Sequence, residues 1–249
     1  MYSYSKVNCF WDCPYKYKLI YKDKLKAKFN EKPENALVLG TALHESIETK
    51  NIDEALSKYF KNYKEIVEQN KIEAYKVRKV AEKAIKDLPR GIYEYRLQTE
   101  DFIGFIDLLV EVEPNIYDLY DFKYSNNING YLESPQIHLY KYYYEKITGN
   151  KIRNIAYVFL PKVSIKDYSS LEDAYKKIDD AVEKTNIKVE YLDFDSKKVN
   201  YFFARRQSLM KAENQENYNF EKRNTWKCNW CDFKQYCLTN GEDRSELDE

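Results

Sequence analysis

Apolar and polar positions change their period along this chain, and the changes divide it into segments. Residues 1 to 29 alternate aromatic residues with lysines around Cys13-Pro14, and the proline predicts a helix starting just after the cysteine. The stretch ALVLGTALHESIE, 36 to 48, carries apolar residues at helical spacing with His44 among them. From Asp53 to Leu88, Leu56, Tyr59, Phe60, Tyr63, Ile66 and Val67 recur at three and four, which predicts one or two amphipathic helices stopped by Pro89. The pattern then becomes β-type. IYEYRLQ (92–98), FIGFIDLLVEV (102–112) and IYDLYDFKY (116–124) are rich in β-branched and aromatic residues, with a Glu113-Pro114-Asn115 turn, and predict a meander of three strands. Ser134-Pro135 reads as an N-cap followed by a proline at the first helical position, opening a helix from Gln136 to Thr148 that Gly149-Asn150 closes. A strand over 152–161, a helix over 169–184, a short strand over 187–194 and a long helix over 196–214 follow, before a cysteine-rich tail. Helices around a central sheet indicate an α/β or α+β fold.

Composition narrows the class. With 249 residues and 43% hydrophobic positions the chain can bury a substantial core. No repeat and no Gly/Ser/Pro-rich linker interrupts it, so one domain over 1–249 is the simpler expectation. Six Gly and six Pro exclude collagen-like and linker-rich chains, and no apolar run approaches the ~18 residues of a membrane helix. The first residues lack the order of a secretory signal, so the cytoplasm is the expected compartment, where structural disulfides are disfavoured. With 41 basic and 41 acidic residues, the whole molecule has no general attraction for nucleic acid or an anionic membrane. Charge is segregated at the ends: the first 29 residues hold seven Lys against Asp12 and Asp23, and the last eight hold five acids and one Arg. A Lys-rich, aromatic-rich start suits gripping phosphates and stacking the bases of a single strand. An AT-rich genome's bias toward Lys, Glu, Tyr and Asn is the competing explanation.

Candidate chemistry falls in two places. Asp107 and Asp121 lie on neighbouring predicted strands, and Lys123, two residues beyond Asp121, shares its face. Two carboxylates and an ammonium in one place suit Mg²⁺ or Mn²⁺ and phosphodiester hydrolysis, although an isolated Asp-x-Lys is usually a solvated strand face. The second place is Cys228-x-x-Cys231-x5-Cys237, flanked by Trp226, Trp230 and Phe233. Zinc and 4Fe-4S sites both need four protein ligands, so a fourth must come from Cys13 or Cys9, with Cys13, in Cys-Pro, preferred.

The order Gly104-Phe-Ile-Asp107, Asp121-Phe-Lys123, then Gln136-x-x-x-Tyr140 resembles the PD-(D/E)XK nuclease superfamily, in particular its RecB-like branch. The resemblance implies that Asp107 and Asp121 hold a divalent metal, that Lys123 serves the attacking water, and that Gln136 and Tyr140 line the cleft from one face of a helix. His44, in Gly40-Thr-Ala-Leu-His44-Glu45, matches the upstream histidine that adds a metal ligand in this branch. Cysteines at both ends match the iron-sulfur members, which include the CRISPR-adaptation exonucleases and AddB-type nuclease domains, over nearly the whole chain. It implies a restriction-endonuclease-like α/β fold, a central mixed sheet flanked by helices. It also implies that 1–30 and 218–240 are clasped by a 4Fe-4S cluster on Cys13, Cys228, Cys231 and Cys237, with Cys9 a buried spare thiol. The implied activity is a metal-dependent DNA nuclease, an exonuclease working on DNA ends or single strands with Mg²⁺ or Mn²⁺. The sequence has no Walker A or helicase motif, so unwinding would fall to a helicase, recombination or CRISPR-adaptation partner, with no membrane involved. Two alternatives compete. A degenerate nuclease fold that only binds should have lost a motif residue, and none is missing; a non-catalytic zinc-ribbon interaction protein leaves the ordered carboxylate motifs to coincidence.

Overall fold

The computed structural model describes residues 1–248. In chain order the elements are α1 (Tyr4–Asp12), α2 (Pro14–Tyr17), α3 (Ala36–Thr49), α4 (Ile52–Phe60), α5 (Glu68–Asp87), β1 (Ile92–Gln98), β2 (Ile103–Glu113), β3 (Ile116–Tyr124), α6 (Asn129–Leu132), α7 (Gln136–Thr148), β4 (Lys151–Leu160), α8 (Leu171–Lys184), β5 (Lys188–Leu192), α9 (Ser196–Asn214) and α10 (Lys234–Leu238). These follow the periodicity closely. The 53–88 pattern becomes two helices, and buried Asn70 holds the break: its side chain accepts from the Val67 amide and donates to Tyr59 Oη. At α7 the expected capping shifts by one residue. Pro135, with helical φ and ψ, stands at the N-cap, and Ser134 Oγ accepts from the Gln136 amide at 3.2 Å.

The chain divides into two compact units: a sheet unit (Glu31–Leu97 and Gly104–Ser196) and a terminal unit (Met1–Asn30, Gln98–Ile103 and Lys197–Glu249). In the sheet unit the strand order is β1-β2-β3-β4-β5. β2 and β3 form the expected antiparallel hairpin, turning at Asn115, whose φ of 64° is tolerated by an asparagine. The chain then crosses over through α6 and α7, and β4 joins β3 in parallel, while β5 returns antiparallel to β4, so the sheet is mixed. Gly91 leads into β1 where a side chain could not fit, since a Cβ there would lie 2.2 Å from the Leu109 carbonyl oxygen.

β3 is buried continuously from Asp118 to Phe122. That is why IYDLYDFKY reads as a dense run rather than a clean alternation. Helices α3, α4, α5 and α8 share one apolar cluster with the sheet through Leu39, Leu43, Leu56, Val77, Val80 and Ile178 together with Phe122, Val158 and Leu160. Full burial of each such side chain is worth roughly 1.5–3 kcal/mol. This core makes the carboxylate-bearing strands a rigid platform.

The terminal unit is assembled differently. Its buried apolar residues include Val7, Phe10, Tyr17, Phe102, Phe202 and Leu209, with a separate cluster at Leu19, Phe233 and Leu247. A carboxylate does much of the tethering: Glu213 accepts from Tyr2 Oη at 2.5 Å, from Lys6 Nζ at 3.0 Å and from Tyr17 Oη. Tyr2 also bridges to Phe102, which packs edge-on against Phe202. The terminal unit has 17 Lys and Arg against 13 Asp and Glu, leaving 24 against 28 for the sheet unit. Among the described residues no helix is long and apolar enough to cross a membrane.

Candidate active site

The sequence-predicted carboxylate site forms in the sheet unit. β2 and β3 pair with Leu108 opposite Tyr120, which brings Asp107 and Asp121 side by side on adjacent strands. Asp107 Oδ2 accepts from the Phe122 amide at 2.5 Å, fixing the carboxylate across the hairpin. His44 arrives from α3, its Nδ1 3.4 Å from Asp107 Oδ1 and its ring edge-on to Phe122. Asp121 Oδ2 lies 2.5 Å from Lys123 Nζ. Asp121 is buried and Lys123 nearly so, and the ammonium is the charge partner of this oxygen. Lys123 donates to Gln136 Oε1 at 3.3 Å, and Gln136 Nε2 donates to Tyr140 Oη at 2.9 Å, so two α7 residues one turn apart extend the chain of contacts. The ammonium also faces the rings of Tyr131 and Tyr157, each 5.5 Å away. All six residues named from the sequence, His44, Asp107, Asp121, Lys123, Gln136 and Tyr140, are thereby brought together.

Glu94 was not singled out in the sequence. It stands in β1 with φ 47°, a left-handed conformation that costs a non-glycine residue on the order of 1–3 kcal/mol. One donor atom each from His44, Glu94 and Asp107 lie within 4.8 Å of one another. Nothing in IYEYRLQ distinguishes Glu94 from an ordinary strand charge. Its left-handed φ and its neighbours in the fold do so.

The electrostatics of the group are those of an excess of negative charge. Burial pushes the Asp121 carboxyl up to about 6, with Lys123 pulling it down and Asp107 pushing it further up. Burial likewise raises Glu94 to about 7, reinforced by Asp107 and Glu48. Burial works to lower His44, but Asp107 and Asp121 outweigh it and its pKa is raised. The same balance holds for Lys123: burial opposes the charge, the Asp121 carboxylate favours it more, and the ammonium keeps its proton. Carboxylates crowded at this cost, with an imidazole within 4.8 Å of Glu94 and Asp107, fit a hard divalent cation such as Mg²⁺ or Mn²⁺.

All five cysteines are in the terminal unit and none is in a disulfide. Cys13 is the N-cap of α2, its Sγ accepting from the Lys16 amide at 3.4 Å. Cys228 lies in a 3₁₀ turn, Trp226–Trp230, Cys231 follows it, and Cys237 is on α10. Burial raises the Cys237 thiol, and Cys13, Cys231 and Cys228 are all close enough to raise it further. Cys9 is half-buried rather than fully buried. Burial pushes it to about 11, with Cys13 and Cys231 also acting on it, so it borders the same group of thiols. Among the described residues no three of the thiols lie within 4.8 Å of one another.

A sequence model of the PD-(D/E)XK nuclease superfamily matches residues 1–238, and the chain belongs to that superfamily, whose members are metal-dependent nucleases. A five-stranded mixed sheet with flanking helices is consistent with the restriction-endonuclease-like fold. No curated protein matches the chain.

Proposed function

We propose that this chain is a metal-dependent DNA exonuclease of the RecB-like branch, with Asp107, Asp121 and His44 as metal ligands and Glu94 as a further carboxylate at the same ion. The single observation that carries the site is the convergence of one donor atom each from His44, Glu94 and Asp107 within 4.8 Å, beside buried Asp121 and its partner Lys123. A bound Mg²⁺ or Mn²⁺ supplies Lewis acidity and a water of lowered pKa. Asp107 is held for its role by the Phe122 amide. Lys123 keeps its proton and therefore acts as a donor: it orients the attacking water and the negative phosphate oxygens rather than removing a proton as a base. Gln136, itself bonded to Tyr140, fixes where the ammonium points. Attack of the water oxygen on phosphorus would form the new P–O bond as the bond to the leaving oxygen breaks, the water's proton passing to solvent and the leaving oxygen taking one up from it.

For the terminal unit we propose a 4Fe-4S cluster on Cys13, Cys228, Cys231 and Cys237 that ties the chain ends together. Cys13, Cys228 and Cys231 all lie close enough to act on the Cys237 thiol, which supports one shared site for the four. The role is structural, since ligands from both ends tether distant segments. The test is anaerobic purification, iron, sulfide and zinc analysis, and Mn²⁺-dependent digestion of end-labelled single- and double-stranded DNA. Iron with sulfide and stepwise shortening from an end support the proposal. Zinc refutes the cluster, and no cleavage by the wild type with either ion refutes the nuclease.

A further inference from the structure

Two tryptophans of the terminal unit are left in solvent. Trp226 is 71% and Trp230 73% exposed, and they meet edge-to-face with ring centres 5.8 Å apart on the turn that carries Cys228. Large rings exposed together in a soluble protein mark a binding surface. Lys227, between them, reaches Asp12 at 2.6 Å, which fastens this turn to the end of α1. There the neighbouring residue, Trp11, is flanked by two guanidiniums: Arg223 lies 5.6 Å and Arg205 4.6 Å from its ring. Arg205 also stacks on half-exposed Tyr201 at 4.0 Å and bonds its hydroxyl. Among the described residues neither Arg205 nor Arg223 has a carboxylate partner; they bond Asn8, Tyr201 and the Trp11 carbonyl oxygen. Two cations without a carboxylate partner, set against half-buried Trp11 and exposed Tyr201, complement phosphates and bases together, and they sit in the basic unit while the sheet unit is net acidic.

We propose that Trp226 and Trp230, with Arg205 and Arg223, form a strip on which an unpaired nucleic-acid strand stacks its bases and sets its phosphates. The proposal rests on the nuclease reading for its partner class and adds where the strand is gripped. Stacking by the tryptophans tolerates any base, whereas the arginines contribute salt-dependent attraction. The nuclease unit, with its excess of acids, would gain its substrate through this strip rather than through its own charge.

The test is binding of the full chain, in divalent-free buffer, to a fluorescent oligothymidylate of roughly 20 nucleotides and to an abasic strand of the same length. The wild type should prefer the oligothymidylate by about tenfold or more. Trp226→Ala with Trp230→Ala should abolish that preference and leave abasic binding unchanged, while Trp→Phe at both positions should retain most of it. Arg205→Gln and Arg223→Gln should weaken both strands equally and flatten the salt dependence by about 0.7 in slope each. Equal wild-type affinity for the two strands, or an alanine double variant that binds oligothymidylate as well as the wild type, overturns the proposal and assigns the exposed rings to a protein partner. An equal fall on both strands in the alanine variant also overturns stacking. Active protein without base preference refutes the strip alone; base preference without metal-dependent cleavage refutes the nuclease alone.

Discussion

The two units solve opposite problems. The sheet unit has a continuous apolar core from four helices and three strands, and spends that rigidity on holding acids close together against their mutual repulsion. The terminal unit has its own buried apolar residues, among them Phe10, Tyr17, Phe102 and Phe202, and holds a carboxylate, Glu213, with donors from Tyr2, Lys6 and Tyr17. The carboxylates shift in opposite directions. Asp121 and Glu94 are raised by burial, whereas burial of Glu213 is outweighed by bonds from Tyr17, Tyr2 and Lys6, which lower it. A site built to receive a cation tolerates unneutralised charge, and a structural carboxylate must find its donors within the fold.

The largest expected contrast is in activity. Asp107→Ala, Asp121→Ala and Lys123→Ala should each reduce cleavage by at least ~10²–10³-fold, as expected when a transition-state contact or metal ligand is removed, while circular dichroism shows a folded protein. Wild-type cleavage by the Lys123 variant would place the chemistry elsewhere. In the terminal unit, the proposed cluster would make the protein brown, and Cys13→Ser should lose that colour as completely as Cys228→Ser and open residues 1–30 and 197–249 to protease before the sheet unit. Colour that depends on Cys9 instead would move the fourth ligand, an outcome the closeness of Cys9 to Cys13 makes worth measuring.

Smaller effects concern stability. Leu43→Ala in the sheet core should cost about 2–5 kcal/mol in denaturant unfolding. Glu213→Ala, which strands two tyrosine hydroxyls and a lysine, should cost about 1–3 kcal/mol and show first in proteolysis of the terminal unit. If Glu213→Ala is silent, the polar tethers are not what holds that unit.

The subtlest contrast is with pH in metal-free protein. Asp121 and Glu94 bind protons more tightly folded than unfolded, so their contribution falls as pH rises from the unfolded range of about 4 toward about 6 and about 7. Glu213 has the reverse sign: its stabilisation is complete above the ordinary glutamate range and is lost as pH falls through its depressed pKa. Protease mapping across pH should show the sheet unit loosening at neutral pH, tightened again by Mg²⁺, and the terminal unit loosening only in acid. A sheet unit insensitive to Mg²⁺ would separate these acids from metal binding.

The sequence by itself determined the element order, because periodicity reports which face of each segment meets a core, and β1, β3, α7 and α9 appear with the boundaries their patterns predict. It also determined that Asp121 and Lys123 share a face and that Gln136 and Tyr140 stack on one helix turn, since both follow from local geometry. Tertiary structure decided the rest. That β4 runs parallel to β3, that His44 meets Asp107 across more than sixty residues, and that Glu94 joins them through a left-handed backbone all depend on long-range pairing. Local pattern carries no term for such contacts. The exposed tryptophans show the same limit: the sequence places Trp226 and Trp230 beside Cys228, and only the folded surface shows them turned to solvent.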